Sequence, residues 1–183
     1  MANIQVPTNE QVDNKAQGIF AALKKQLGMV PNLYAAIGYS SDTLESFLNF
    51  SGPAGKGTFS GKEIEAIKLA VSQVNNCEYC LAAHTALAKM NGFTQEETLE
   101  LRTATIADER LNAITTLAKE IAEDAGRATQ ATLDNFFAQG FNEAGLIDIV
   151  AVITSVTFTN YVYGATAVPV DFPAAQALEA VAA

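Results

Sequence analysis

Side chains that move protons or electrons near neutral pH are scarce in this chain. Among its 183 residues there is one histidine, His84, and only two cysteines, Cys77 and Cys80. Chemistry that needs an imidazole or a thiol has nowhere else to occur. Two cysteines at helical spacing also suit a reducing compartment better than a structural disulfide framework would. Positive charge is in short supply too: 11 Lys and Arg stand against 20 Asp and Glu, for a net charge of −9. Nucleic acid or an anionic membrane surface would repel such a chain, so neither is expected as a partner. The first residues, Met1 to Glu10, lack a basic stretch followed by an apolar one, so no secretory signal is expected and the expected location is the cytoplasm. The Gly-rich stretch from Gly52 to Gly57 lacks the Gly-Lys-Ser/Thr ending of a phosphate cradle, and reads as a flexible connection or a lid. A clean membrane span is missing as well. Leu146 to Val168 is the most apolar segment, but Asp148, Thr154, Ser155, Thr157, Thr159 and Asn160 interrupt it, which predicts a buried helix.

What is present is a series of helix signals. With 49% hydrophobic and 17% charged residues, the chain is expected to form one helical domain over 1–183. Thr8 or Asn9 is expected to cap a helix that places Val12, Ala16, Phe20, Leu23 and Leu27 inward and closes at Gly28. Pro31 opens a short helix, and Asp42 with Glu45 starts another that sends Leu44, Phe47, Leu48 and Phe50 into the core. Further on, Thr94 with Glu97, Asp108 before Leu111, and Leu133 to Phe137 mark three more, and Pro169 and Pro173 precede an Ala-rich tail helix. A shift of 83 residues aligns Glu65 with Asp148, Ser72 with Ser155 and Cys77 with Asn160, a hint of two similar helical halves with Asp148 in a structural role.

The chemistry is concentrated between Ser60 and Gly92. Ser60 and Glu63 form a capping box, so a helix is expected from Gly61 to the Asn75-Asn76 pair, and a second from near Cys77 to Asn91-Gly92. Cys77, Cys80 and His84 then share one face of the second helix at i, i+3 and i+4 spacings, with Cys77 in its first turn. The positive end of a helix favours a thiolate, and His84 is placed to take the proton.

The pattern Glu65, Cys77, Cys80, His84, written E-x11-C-x2-C-x3-H, resembles the core of the alkylhydroperoxidase D-like branch of the carboxymuconolactone decarboxylase family. The segment Gly28 to Tyr34 is similar to the G-x-V-P-N-L-Y of its peroxidase-related subgroup. The resemblance implies an all-α, multihelical thiol peroxidase that needs no cofactor. It implies Cys80 as the attacking thiol, Cys77 as the resolving thiol, His84 as the base and Glu65 as the carboxylate of a proton relay. Some members carry a histidine where this chain has Tyr79, a phenol that can donate a hydrogen bond but is a poor base near neutrality. A hydroperoxide substrate, a dithiol or lipoyl-type reductant and an assembly of several chains are further implications. Other readings stand beside this one: inert buried thiols, a zinc site made of Cys77, Cys80, His84 and Glu65, a family member without peroxidase activity, Glu65 as a dipole partner only, and Tyr79 as a cover over the site.

Overall fold

The computed structural model describes residues 2–178, and among these every regular element is a helix. The order is α1 (Asn14–Leu27), α2 (Asn32–Ile37), α3 (Ser41–Ser51), α4 (Gly61–Val74), α5 (Glu78–Met90), α6 (Gln95–Thr103), α7 (Glu109–Glu123), α8 (Gln130–Ala138) and α9 (Glu143–Thr166). Helix α4 is the hub, packing against α5, α6, α7 and α9. Its sequence explains the position: Ala66, Ile67, Leu69, Ala70 and Val71 are all buried, so apolar surface wraps most of the helix and neighbours must cover every side. Leu111, Ile114, Leu117 and Ile121 of α7 bury one stripe against it, and small residues such as Ala66 and Ala70 let neighbouring backbones approach.

Several boundaries differ from the sequence expectation. Thr8 caps only a 3-10 turn, Asn9–Gln11; Asp13 then caps α1 by accepting from the Ala16 N–H, and Gly28 closes it at φ 79. A short acceptor directly before the helix outcompetes one five residues upstream. Leu27 and Phe50 are exposed, because each lies at a helix end beyond the reach of its neighbours. Gly55 (φ 74) ties the Gly-rich loop to α9, since a Cβ there would come within 2.7 Å of Val152 Cγ2. The loop is thus an anchored connection and not a free lid. The expected tail helix is absent over 173–178, and its remainder lies outside the described residues.

Helix α9 has the length and apolar composition of a membrane span, yet its inner face packs on α2, α3, α4, α5 and α7. Ile149, Val152, Ile153 and Val156 fill the largest core cluster. Its outer face leaves Ile147 and Tyr161 about two-thirds exposed (68% and 67%), so it is a buried helix on one side only. In the 83-residue echo, Asp148 accepts from the Thr58 hydroxyl while its counterpart Glu65 binds His84, consistent with a structural Asp148.

Candidate active site

The α4–α5 junction builds the site. The Ser60 hydroxyl accepts from the Glu63 N–H at 3.2 Å and Glu63 accepts from the Ser60 N–H at 2.7 Å, fixing where α4 starts. Its end is turned by Asn76, at φ 49 in the left-handed region that asparagine tolerates, and the Cys77 N–H returns to the Ser72 carbonyl at 3.0 Å. Cys77 is consequently the cap of α5, one residue before the helix and not within its first turn. Its sulfur accepts from the Cys80 N–H at 3.3 Å.

Cys77 and Cys80 are free thiols and each is only 2% exposed. The Cys80 thiol faces Thr159 Oγ1 of α9 at 3.9 Å, and Thr159 in turn donates to the Val156 carbonyl. Cys77 lowers the Cys80 thiol, aided by Asn160 and Thr159 against the opposing effect of burial; hydrogen bonding to Cys80, burial and the charge of Cys80 push Cys77 up. Cys80 is thus the more readily ionised of the two thiols.

Glu65 is 6% exposed and faces α5. Its Oε2 is 2.8 Å from His84 Nδ1, and its Oε1 accepts from Lys68 Nζ at 3.2 Å. Burial alone would raise this carboxyl, but the charges and hydrogen bonds of His84 and Lys68 hold it at about 2. An ionised carboxylate on Nδ1 orients the ring and leaves Nε2 as the working nitrogen. Among the described residues neither sulfur hydrogen-bonds to His84 directly. His84 and Thr159 instead both line a cavity of ≈ 520 Å³, with Tyr34, Ser155, Lys56 and Lys68. Thr159, whose hydroxyl meets the Cys80 sulfur, is the lining residue that brings the cavity to the dithiol.

Tyr79 points elsewhere. Its hydroxyl donates to Asp171 Oδ1 at 2.5 Å and accepts from the Leu33 N–H at 3.3 Å, while Asp171 Oδ2 accepts from the Asn32 N–H at 2.9 Å. The ring packs against Tyr163 and Phe172, and burial raises the phenol further above its ordinary value. Tyr79 therefore fastens the segment after α9 over the dithiol, where Val168 joins both cysteines in one buried cluster. Among the described residues no three His, Cys, Asp or Glu side chains are placed to hold a metal ion, so the four candidate zinc ligands do not converge.

Thr159 and Asp171 carried no site signal in the sequence, because each arrives through packing across the chain; Lys68 stands one turn from Glu65 on α4 but was not singled out, and Tyr34 entered only as the end of the Gly28–Tyr34 motif. Asn160 had a faint signal as the counterpart of Cys77 in the echo, and it binds Ser72 and Asn75 beside the dithiol.

Residues 41–124 match the family described as carboxymuconolactone decarboxylase. The fold superposes on an uncharacterized peroxidase-related protein from Silicibacter sp. TM1040 with a TM-score of 0.79 and 26% identity, covering 91% of this chain and 90% of that one. Residues 41–124 thus carry the segment of the carboxymuconolactone decarboxylase family, on a fold shared with alkylhydroperoxidase D-like structures. A second structure, an alkylhydroperoxidase core described as an uncharacterized peroxidase-related protein from Ralstonia eutropha JMP134, gives a TM-score of 0.82 at 19% identity over 93% of this chain and 92% of that one. The debrominase Bmp8, solved as a cysteine-to-alanine variant with 2,3,4-tribromopyrrole, shares the fold at 16% identity and a TM-score of 0.77, over 93% of this chain and 92% of its own. No curated protein matches the chain. The same helical frame is thus found in proteins described by different activities.

Proposed function

We propose that the chain is a thiol-dependent peroxidase that reduces organic hydroperoxides. The observation that carries this reading is the Glu65–His84 pair, whose imidazole lines the cavity, near a dithiol whose Cys80 thiol is lowered while Cys77 is raised. The Cys80 thiolate attacks the terminal peroxide oxygen and the O–O bond breaks, giving a Cys80 sulfenic acid and an alkoxide. His84, holding the proton from the thiol, returns it to the alkoxide, and the alcohol leaves. Cys77 then attacks the sulfenic sulfur, so a disulfide forms and water departs. An external dithiol, small or lipoyl-like, restores both thiols by exchange. A reducing compartment such as the cytoplasm would supply it. Turnover of cumene hydroperoxide with dihydrolipoamide, followed by peroxide loss, tests the reading; a folded protein that consumes no peroxide overturns it.

The likeness to a debrominase favours a second reading of the same dithiol. Two thiols can reduce a carbon–bromine bond to carbon–hydrogen, releasing bromide and a proton as the disulfide forms. Bromide release from a brominated pyrrole, with no peroxide consumption, would select it. Assembly is proposed through the outer face of α9, where Ile147, Val150 and Tyr161 form an exposed stripe at helical spacing.

A further inference from the structure

The cavity beside the dithiol carries a charge opposite to that of the chain. The net charge is −9, yet no Asp or Glu lines this cavity; its charged or titratable lining groups are Lys56, Lys68, His84 and the Tyr34 phenol. Lys68 is matched by Glu65, which also binds His84. Lys56 is exposed and forms no ion pair among the described residues. One cation without an ion-pair partner therefore lines a depression of a chain whose net charge is negative, and Lys24 and Lys25, exposed beside the lining residues Leu23 and Gln26, add no opposing charge.

Burial orders the cavity from outside to inside. Leu27 and Lys56 are exposed at its outer end, while Ser155 and Thr159 are buried at its inner end, where Thr159 meets the Cys80 sulfur. The remaining lining is mixed, with Leu23, Phe47, Leu48 and Val156 supplying apolar surface and Gln26 and Ser51 adding uncharged polar groups. At ≈ 520 Å³ the space exceeds what hydrogen peroxide requires and lies in the range of small organic ligands. Apolar walls hold a hydrocarbon body, and a lone ammonium at the rim favours a negative head group.

We propose that this site takes an amphipathic anion: a hydroperoxide with an aliphatic or aromatic body and a carboxylate head, its peroxide end at Thr159 and His84 and its head at Lys56. This deepens the peroxidase reading and rests on it. Lys56 acts on binding and selectivity. It has no part in the redox step, which remains the two-electron reduction of the O–O bond by the dithiol.

The test compares acid and neutral partners of one body: 4-carboxycumene hydroperoxide against cumene hydroperoxide, and linoleic acid hydroperoxide against its methyl ester. The two pairs separate aromatic from aliphatic bodies. Wild type is expected to favour the acid in at least one pair by about fivefold in kcat/KM, the size of one exposed ion pair. Lys56→Glu should cut that ratio about tenfold, and Lys56→Arg should keep it. Binding of the redox-inert 4-isopropylbenzoate, measured by calorimetry, should weaken in Lys56→Glu and not in Lys56→Arg. Equal use of acid and neutral partners in both pairs, or binding unaffected by charge reversal at Lys56, overturns the inference while leaving the peroxidase standing. Absence of any peroxide turnover overturns the peroxidase reading, and the binding measurement still decides whether Lys56 recruits carboxylates.

Discussion

Replacing Glu65 by glutamine removes the charge that organises the site while nearly preserving its shape. Glu65 is almost fully buried, accepts from His84 and Lys68, and has its carboxyl lowered from an ordinary 4.5 to about 2. A displacement of that size corresponds to about 3 kcal/mol of stability. Because the folded-state value lies below the unfolded one, the stabilisation is fully present above about pH 4.5 and is lost as pH falls through about 2. Glutamine is neutral at every pH. Wild type should therefore exceed Glu65→Gln by about 3 kcal/mol at pH 7, by roughly half of that at pH 3, and by little near pH 2. Urea unfolding followed by circular dichroism at several pH values measures the difference. A difference that stays flat from pH 7 to pH 3 would show that Glu65 is not an ionised partner of His84 and Lys68, and the proton relay would lose its anchor.

Three further outcomes follow from the same geometry. His84→Ala should slow peroxide consumption at pH 7 by about 10²- to 10⁴-fold, the usual loss for a general base, and stopped-flow rates should recover as pH rises toward the intrinsic thiol value near about 8.5; a folded variant at wild-type rate removes His84 from the mechanism. Tyr79→Phe should lower stability by roughly 2 kcal/mol, because Asp171 and the Leu33 N–H both lose a partner, with turnover within a few-fold of wild type; unchanged stability with a hundredfold loss of rate would place Tyr79 in the relay instead. Analytical ultracentrifugation at micromolar concentration should give a mass above that of one chain, and Tyr161→Glu with Ile147→Glu should shift it downward; a single-chain mass for the wild type refutes assembly through α9.

The helical class and most boundaries were legible because the signals are local. Capping boxes at Ser60–Glu63 and Thr94–Glu97, and the Asp108 cap, lie within one turn of the backbone they fix. Of the Glu65, Cys77, Cys80 and His84 set, the local placement was legible, since Cys77 caps α5 with Cys80 and His84 following at three- and four-residue steps, whereas the Glu65–His84 contact joins two helices and was suggested by the motif resemblance. The expected capped start at Thr8 was displaced because Asp13 is a competing acceptor next to α1, whereas α3 starts at Ser41 with no side-chain cap, the Ser40 hydroxyl pairing with Thr43 Oγ1 instead. What could not be read is set by packing across the chain. Thr159 and Asp171 reach the dithiol and Tyr79 from 79 and 92 residues away, and nothing in their own neighbourhoods marks them. The role of Tyr79 was ambiguous for this reason, since a tyrosine between two cysteines reads alike whether its hydroxyl faces the histidine or turns toward Asp171.

The central claim is that Cys77 and Cys80 act as a peroxide-oxidised pair with Cys80 attacking first. The direct measurement is intact-mass and peptide mass spectrometry after one equivalent of cumene hydroperoxide, on wild type, Cys77→Ser and Cys80→Ser. Wild type should lose both free thiols to one intramolecular disulfide, Cys77→Ser should stop at a sulfenic acid on Cys80, and Cys80→Ser should leave Cys77 reduced. Both thiols unchanged in folded wild-type protein, or a sulfenic acid that accumulates on Cys77 of the Cys80→Ser variant at the wild-type rate, would contradict the account.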